Sequence, residues 1–352
     1  MISKEKTNIK KGLAIIYYTV CPVESTSHIA VHKGFFDKAF RSIGIELQHI
    51  SSLPRKEWQN HFTHSHPYFF RDGGNIPPIW ARSRGADNVA IGVTFPERKQ
   101  VIIVKKESSI QSVSDLKNKK IALPRRIDTL IDFWRATVHR GIICSLNAHG
   151  LKEEDVEFVD ISLSDYLADS DEKRSIWSHK NNFKSFIREE LSALQEGKVD
   201  AVYTEGARVG ALEQLNEFKT VYTLSTHQDT FYKVNICFPC VITVSGELAR
   251  NYPKIVDTYM EALLRAGTWA KENRKEVIGI FSKELYVDSD AIKGSFPHNF
   301  HELLMPSMGQ NGIEALELEK NFLREKDYIL NDFEIKNWIN SSFLERAVEC
   351  IK

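Results

Sequence analysis

The apolar and polar positions of this chain follow two alternating rhythms. Leu13-Ala-Ile-Ile-Tyr-Tyr-Thr-Val20 is a nearly unbroken apolar run and predicts a buried first strand. Residues 25–39 carry Ile29, Ala30, Phe35 and Phe36 at helical spacing, and residues 44–50 alternate as a second strand. Residues 89–94 and 100–104 read as strands, and residues 112–117 as a short helical turn capped by Ser112 or Ser114. A strand at 120–124 precedes a long helix at 128–147 with Leu130, Ile131, Trp134, Val138 and Ile142 on one face. Then come a strand at 156–161, a helix at 183–196, a strand at 198–203 and a helix to about residue 218. An extended apolar run, 234–244, leads into one long helical pattern over 247–273. The remainder is helical, with loops near 296–308.

Strands that alternate with helices predict an α/β fold with a mostly parallel, doubly wound sheet. The helical tail after a second α/β block predicts two lobes with the chain crossing back. The expected division is 1–104 plus the return segment 236–352 for the first lobe, and 105–235 for the second. No internal repeat or low-complexity stretch interrupts the pattern.

A length of 352 residues suits two lobes better than one core. Equal numbers of basic and acidic residues, 47 each, give no electrostatic support for a nucleic acid or anionic membrane as partner. No apolar run approaches the roughly 20 residues of a membrane span. The five cysteines are odd in number and irregular in spacing, which fits a reducing compartment rather than a disulfide framework. Residues 12–21 faintly resemble an export signal ending at Cys21. Their apolar core is short, Val20 is not small, and no polar linker follows, so the expectation is a cytoplasmic protein. Cys237-Phe-Pro-Cys240 has redox-pair spacing but lies in an extended apolar run, so a structural reading is preferred. No Cys/His set has zinc spacing.

The densest chemistry lies between His61 and Pro78. His61 and Arg71 stand ten residues apart, followed by Gly73-Gly74 and Pro77-Pro78. A guanidinium is a rigid fork of donors for an oxyanion, and a glycine pair lets backbone N–H groups approach a ligand. Cys21 ends the first strand and adds a thiol. Taken singly, Cys21 reads as a small buried hydrophobe, Arg71 as a surface ion pair and the glycines as a turn. Their joint order favours a site. Tyr203 and Glu205 follow a strand where the second lobe meets the cleft and are taken as substrate-binding residues. Arg208 is there too, with a surface role equally open.

Three phrases, Ser114-Asp-Leu-Lys-Asn-Lys-Lys-Ile-Ala-Leu-Pro124, Ala193-Leu-Gln-Glu-Gly-Lys-Val-Asp-Ala-Val202 and Asn251-Tyr-Pro-Lys254 followed by Ala266-Gly-Thr-Trp-Ala270, resemble the NMT1/THI5-like proteins. These are nitrate- and sulfonate-binding chains of the type II periplasmic-binding-protein fold. That resemblance implies a two-lobed fold with a helical C-terminal region. Cys21-Pro-Val23, His61-Phe-Thr63, Pro67, Arg71, Gly73-Gly74 and Ile76-Pro-Pro78 resemble, more specifically, the 2'-hydroxybiphenyl-2-sulfinate desulfinases. This second resemblance implies that Cys21 is the essential thiol, that His61 and Arg71 bind and polarise the sulfinate, and that Gly74 offers its N–H. His64-Ser-His66 and Phe69-Phe-Arg-Asp72 depart from the pattern, which implies the same chemistry on a different aromatic group.

The expected function is cleavage of the carbon–sulfur bond of an aromatic sulfinate to release sulfite, without metal or organic cofactor, by a monomer. Cys21 acts either as proton donor or as nucleophile; the residues do not choose. The alternative is a solute-binding protein for a sulfonate or sulfinate. A pyrimidine-precursor synthase of thiamine biosynthesis is disfavoured, because no cysteine-rich run of that type is present.

Overall fold

The computed structural model describes residues 13–127, 129–163 and 187–351. The helix start expected at 128 and the one expected at 183 lie outside the described residues. The chain folds as α/β, with its strands in two groups. In the first, β1 (Ile15–Val20) lies between β2 (Glu46–His49) and β3 (Phe69–Gly74), parallel to both. β4 (Asn88–Thr94) closes this sheet through the late strand β10 (Cys240–Ser245), giving the order β2-β1-β3-β10-β4. In the second group β5 (Gln100–Lys105) sits between β8 (Val202–Glu205) and β9 (Phe218–Thr223). β6 (Lys120–Arg126) pairs in parallel with β7 (Glu157–Leu163), and a parallel bridge from Ile121 to Ala201 joins this pair to the foot of β8. The second group therefore repeats the order of the first, β7-β6-β8-β5-β9, with no repeat in the sequence.

Both crossing strands run against their neighbours. β10 is antiparallel to β3 and β4, and β5 is antiparallel to β8 and β9. The sheet is thus mixed rather than mostly parallel, because each crossing strand enters its sheet from the other half of the molecule. For the same reason residues 100–104, expected with the first lobe, pair in the second sheet. β9 replaces the expected end of a helix. That helix stops at Glu213, and the alternating Phe218-Lys-Thr-Val-Tyr-Thr223 is the strand signal there. The apolar run 234–244 is a strand only from Cys240, after a turn around the cis Phe238–Pro239 bond. The long helix expected over 247–273 breaks into Gly246–Asn251 and Pro253–Glu272. Pro253 has no N–H and its ring crowds the preceding turn, so it starts a helix rather than continuing one.

The two faces of β3 have different neighbours. Phe70 on β3 stacks on Tyr259 of the long helix at 4.0 Å, and Phe36 covers the other face of Tyr259 at 4.7 Å. Stacked aromatic pairs of this kind add about 0.5–1.5 kcal/mol beyond area burial. This core faces one side of β3, and alternate residues, Arg71 among them, face the other. Asn75, just past β3, donates from its amide to the Asn235 and Pro239 carbonyls, tying the strand end to the return crossing. Among the described residues, no helix is long and apolar enough to cross a membrane.

Candidate active site

β1 and β3 are parallel neighbours with Thr19 opposite Arg71 and Val20 opposite Asp72, so the residue after β1 meets the end of β3. The Cys21 N–H extends that ladder by donating to the Asp72 carbonyl at 3.0 Å. Arg71 is fully buried, and three of its N–H groups are engaged. Nε donates to the His61 carbonyl at 3.0 Å, Nη1 to the Gly74 carbonyl at 2.7 Å, and Nη2 to Cys21 Sγ at 3.1 Å. A guanidinium has five such donors, so two remain for a ligand. His61 sits on the short helix Asn60–Thr63 with Nε2 3.4 Å from Cys21 Sγ and Nδ1 3.0 Å from the Thr19 hydroxyl. Cys21, His61, Arg71 and Gly74 are thereby brought together in one wall.

Burial dominates the ionisation of this group. It pushes the Cys21 thiol up, against the opposing pull of the Arg71 guanidinium and a hydrogen bond from the Gly74 N–H. Burial also holds His61 far below its ordinary range, and the Arg71 charge lowers it further. The resting pair is therefore a neutral thiol beside a neutral imidazole.

These four residues line a cavity of about 120 Å³. Phe62, Phe133, Trp134, Ile236 and Leu285 supply its apolar wall, with Phe62 stacked on Phe133 at 6.1 Å. Glu24, Arg98, Glu205 and Arg208 supply a polar wall. Arg98 bridges Glu24 and Glu205, donating to the latter at 2.8 Å, and all three are buried. Arg208 lies over the Trp134 ring at 4.6 Å.

Two residues expected to touch substrate stand behind the wall. The single proton of the Tyr203 hydroxyl lies between Gln100 Oε1 at 2.9 Å and Glu205 Oε2 at 3.2 Å, and the oxygen accepts from Asn235, so the side chain is engaged behind the wall rather than facing the cavity. Gly73, at φ +150°, leaves room for the thiol: a Cβ there would lie 2.3 Å from Cys21 Sγ. Gly73→Ala is accordingly expected to destabilise the protein by more than about 2 kcal/mol, from overpacking and backbone strain together. Urea unfolding monitored by circular dichroism measures this. Sequence reasoning missed Glu24, Arg98 and Trp134 as site residues. Arg98 lies in Pro96-Glu-Arg-Lys99 between two apolar strands, which has the composition of a solvated turn.

A family model described as NMT1/THI5 like matches residues 28–171. The chain is 26% identical to the 2'-hydroxybiphenyl-2-sulfinate desulfinase of Rhodococcus erythropolis over 353 residues, covering 94% of this chain and 93% of the relative. A solved mutant of the desulfurization enzyme DszB, in complex with biphenyl-2-sulfinic acid, superposes with a TM-score of 0.79 at 23% identity, covering 96% of this chain and 99% of the other. The periplasmic aliphatic sulphonate binding protein SsuA from Escherichia coli superposes with a TM-score of 0.67 at 16% identity, over 94% and 92% of the two chains. In sequence and in fold, the chain is similar to the 2'-hydroxybiphenyl-2-sulfinate desulfinases, and it shares its α/β architecture with the sulfonate-binding protein.

Proposed function

We propose that this protein is a desulfinase-type hydrolase that cleaves the carbon–sulfur bond of an aromatic sulfinate. The observation that carries this reading is Cys21 Sγ, held 3.1 Å from a guanidinium nitrogen and 3.4 Å from an imidazole nitrogen in the wall of a cavity lined with aromatic rings. Binding an anion needs only donors. A thiol set against an imidazole adds a group that can transfer a proton or attack sulfur.

In the proton-transfer route the sulfinate oxygens take the two remaining Arg71 donors and share the Gly74 N–H with the thiol. The thiol proton passes to the ring carbon as the carbon–sulfur bond breaks, and its electron pair stays on carbon as the new C–H bond. Sulfur dioxide leaves and a thiolate remains beside Arg71. Water adds to sulfur dioxide, giving bisulfite and a proton, and that proton restores the thiol through His61. In the nucleophilic route sulfur bonds to Cys21 as the arene departs with the proton, and water then releases bisulfite and regenerates the thiol. Both routes sum to sulfinate plus water giving arene plus bisulfite, with no further reactant. The neutral resting thiol supports the first.

That resting state sets the pH dependence. kcat/KM reports the free enzyme's ionisations. His61 is held below its ordinary range, so it stays neutral well into mildly acidic solution. Cys21 is held above its ordinary range and keeps its proton into alkaline solution. A profile without inflection from about pH 6 to about pH 8.5 is expected, falling at higher pH as the thiol ionises. A descending limb centred near neutrality would contradict a protonated resting thiol.

We also propose that the two sheets are two lobes with this cavity between them, that the protein works as a monomer, and that it is cytoplasmic. Five unpaired cysteines, four of them buried, support the last point. The test of the function is incubation of purified protein with aryl and alkyl sulfinates and sulfonates, with assay of free sulfite. Release from aryl sulfinates alone is expected. Tight binding of sulfonates with no release from any sulfinate would favour a solute-binding protein.

A further inference from the structure

The return crossing sets a second pair of sulfurs beside the cavity, and the carbon–sulfur chemistry makes no use of them. The apolar run 234–244 becomes a strand only at Cys240, so Cys237 stands in a turn and not in an extended segment. Asn235 and Phe238 exchange backbone hydrogen bonds at 3.2 Å and 2.9 Å and close that turn around Cys237. Asn75 pins it from the end of β3, donating from its N–H to the Ile236 carbonyl at 2.7 Å and from its side chain to the Asn235 and Pro239 carbonyls. Cys240 is fixed in β10, opposite Gly74 on one side and Thr94 on the other. Turn and strand bring the two thiols together. The Cys237 and Cys240 side chains are hydrogen-bonded to each other, and Cys240 Sγ also lies 3.7 Å from the Cys237 carbonyl. Neither is in a disulfide.

The two sulfurs differ in access. Cys240 has no exposed surface, whereas Cys237 keeps 2% and lines the cavity. Arg98 lies within electrostatic reach of both sulfurs, and Arg208 within reach of Cys237. Cysteines that undergo oxidation sit in such electropositive, accessible places with a resolving thiol alongside, whereas a structural pair in an apolar core has neither the opening nor the cation. The hydrogen bond to Cys237 and burial together push the Cys240 thiol up, so it keeps its proton until a reaction takes it. Cys237 is therefore the sulfur that meets an oxidant, and Cys240 the one that resolves.

We propose that Cys237 and Cys240 form a redox modification site that takes a hydroperoxide from the cavity and closes to a reversible disulfide. With hydrogen peroxide, the Cys237 sulfur attacks one oxygen, the O–O bond breaks, and the thiol proton leaves with the other oxygen as water. The Cys240 sulfur then attacks the sulfenic sulfur; the S–S bond forms, the S–O bond breaks, and the hydroxyl leaves with the Cys240 proton as a second water. The two thiols together lose two electrons, which reduce the peroxide to water, and a dithiol reductant restores both by exchange. The test treats purified, reduced protein with one equivalent of hydrogen peroxide until the thiol count is constant, alkylates it in denaturant and maps it by mass spectrometry. Free thiols are expected to fall from five to three, with the bond at Cys237–Cys240, Cys21 still alkylated, and dithiothreitol restoring all five. Cys240→Ser should form no disulfide and hold Cys237 as a sulfenic acid that dimedone captures, and Cys237→Ser should leave Cys240 a free thiol. Retention of all five thiols by wild type overturns the proposal without needing either variant to fold. So does a Cys21–Cys237 bond, or oxidation confined to the exposed Cys350.

Discussion

Cys21→Ser is expected to lower sulfite release from an aryl sulfinate by about 10²–10⁴-fold, the usual contribution of a positioned proton donor. The loss follows from the chemistry of the atom, not from a change in shape. A serine hydroxyl is a far weaker acid than a thiol and a poorer nucleophile, so both routes through this position fail. Binding should survive. Arg71 keeps two donors free for the anion, and the Gly74 N–H is held by the backbone of β3, which does not depend on residue 21. Calorimetric titration with the sulfinate should therefore show affinity within about threefold of wild type, a difference of well under 1 kcal/mol. Loss of affinity and turnover in parallel would instead make Cys21 part of the binding surface alone.

Arg71→Ala is expected to do more damage, because this guanidinium is a structural tie as well as an anion donor. It holds the carbonyls of His61 and Gly74 from opposite sides while also touching the thiol. Removing it takes a charged donor from two buried carbonyls and leaves a void in a wholly buried position. Hydrogen bonds to a charged group contribute about 1.5–3 kcal/mol each, so a destabilisation of about 3 kcal/mol or more is expected. Urea unfolding would measure it. Turnover should vanish, and sulfonate affinity should fall by at least about tenfold through loss of the charged donor. Arg71→Lys should not rescue turnover, since a single ammonium cannot reach three acceptors arranged for a planar fork. An Arg71→Ala protein with unchanged stability would contradict the part assigned to those carbonyl bonds.

The sequence made the thiol wall readable because its members lie at the ends of two adjacent elements. A short apolar run ending in Cys21 and an Arg-x-Gly-Gly segment become neighbours as soon as β1 and β3 pair in parallel, and that pairing is the ordinary outcome of strand and helix in alternation. The polar wall was harder to read. Glu24 follows Cys21 by three residues, but its partner Arg98 comes from the first crossing and Glu205 from the end of β8, more than 100 residues further along the chain. No local spacing encodes a contact of that range, and charged residues between apolar strands ordinarily face water. Tyr203 was misplaced for a related reason. Alternation along β8 fixes which residues share a face, but not that Gln100 and Asn235 would claim its hydroxyl from behind the wall. The mixed sheet was hidden because strand direction at a crossing depends on where the chain re-enters. The break at Pro253, in contrast, was written in the sequence and lost under the long helical rhythm around it.

The central claim is that the Cys21 cavity breaks carbon–sulfur bonds rather than merely holding an anion. A single-turnover experiment tests it most directly: one equivalent of an aryl sulfinate is mixed with excess protein in deuterated water, and arene, sulfite and remaining sulfinate are quantified. Stoichiometric sulfite, with one deuterium on the ring carbon that carried sulfur, is the predicted result. Across a set of aryl sulfinates shown to bind, quantitative recovery of intact sulfinate would contradict it.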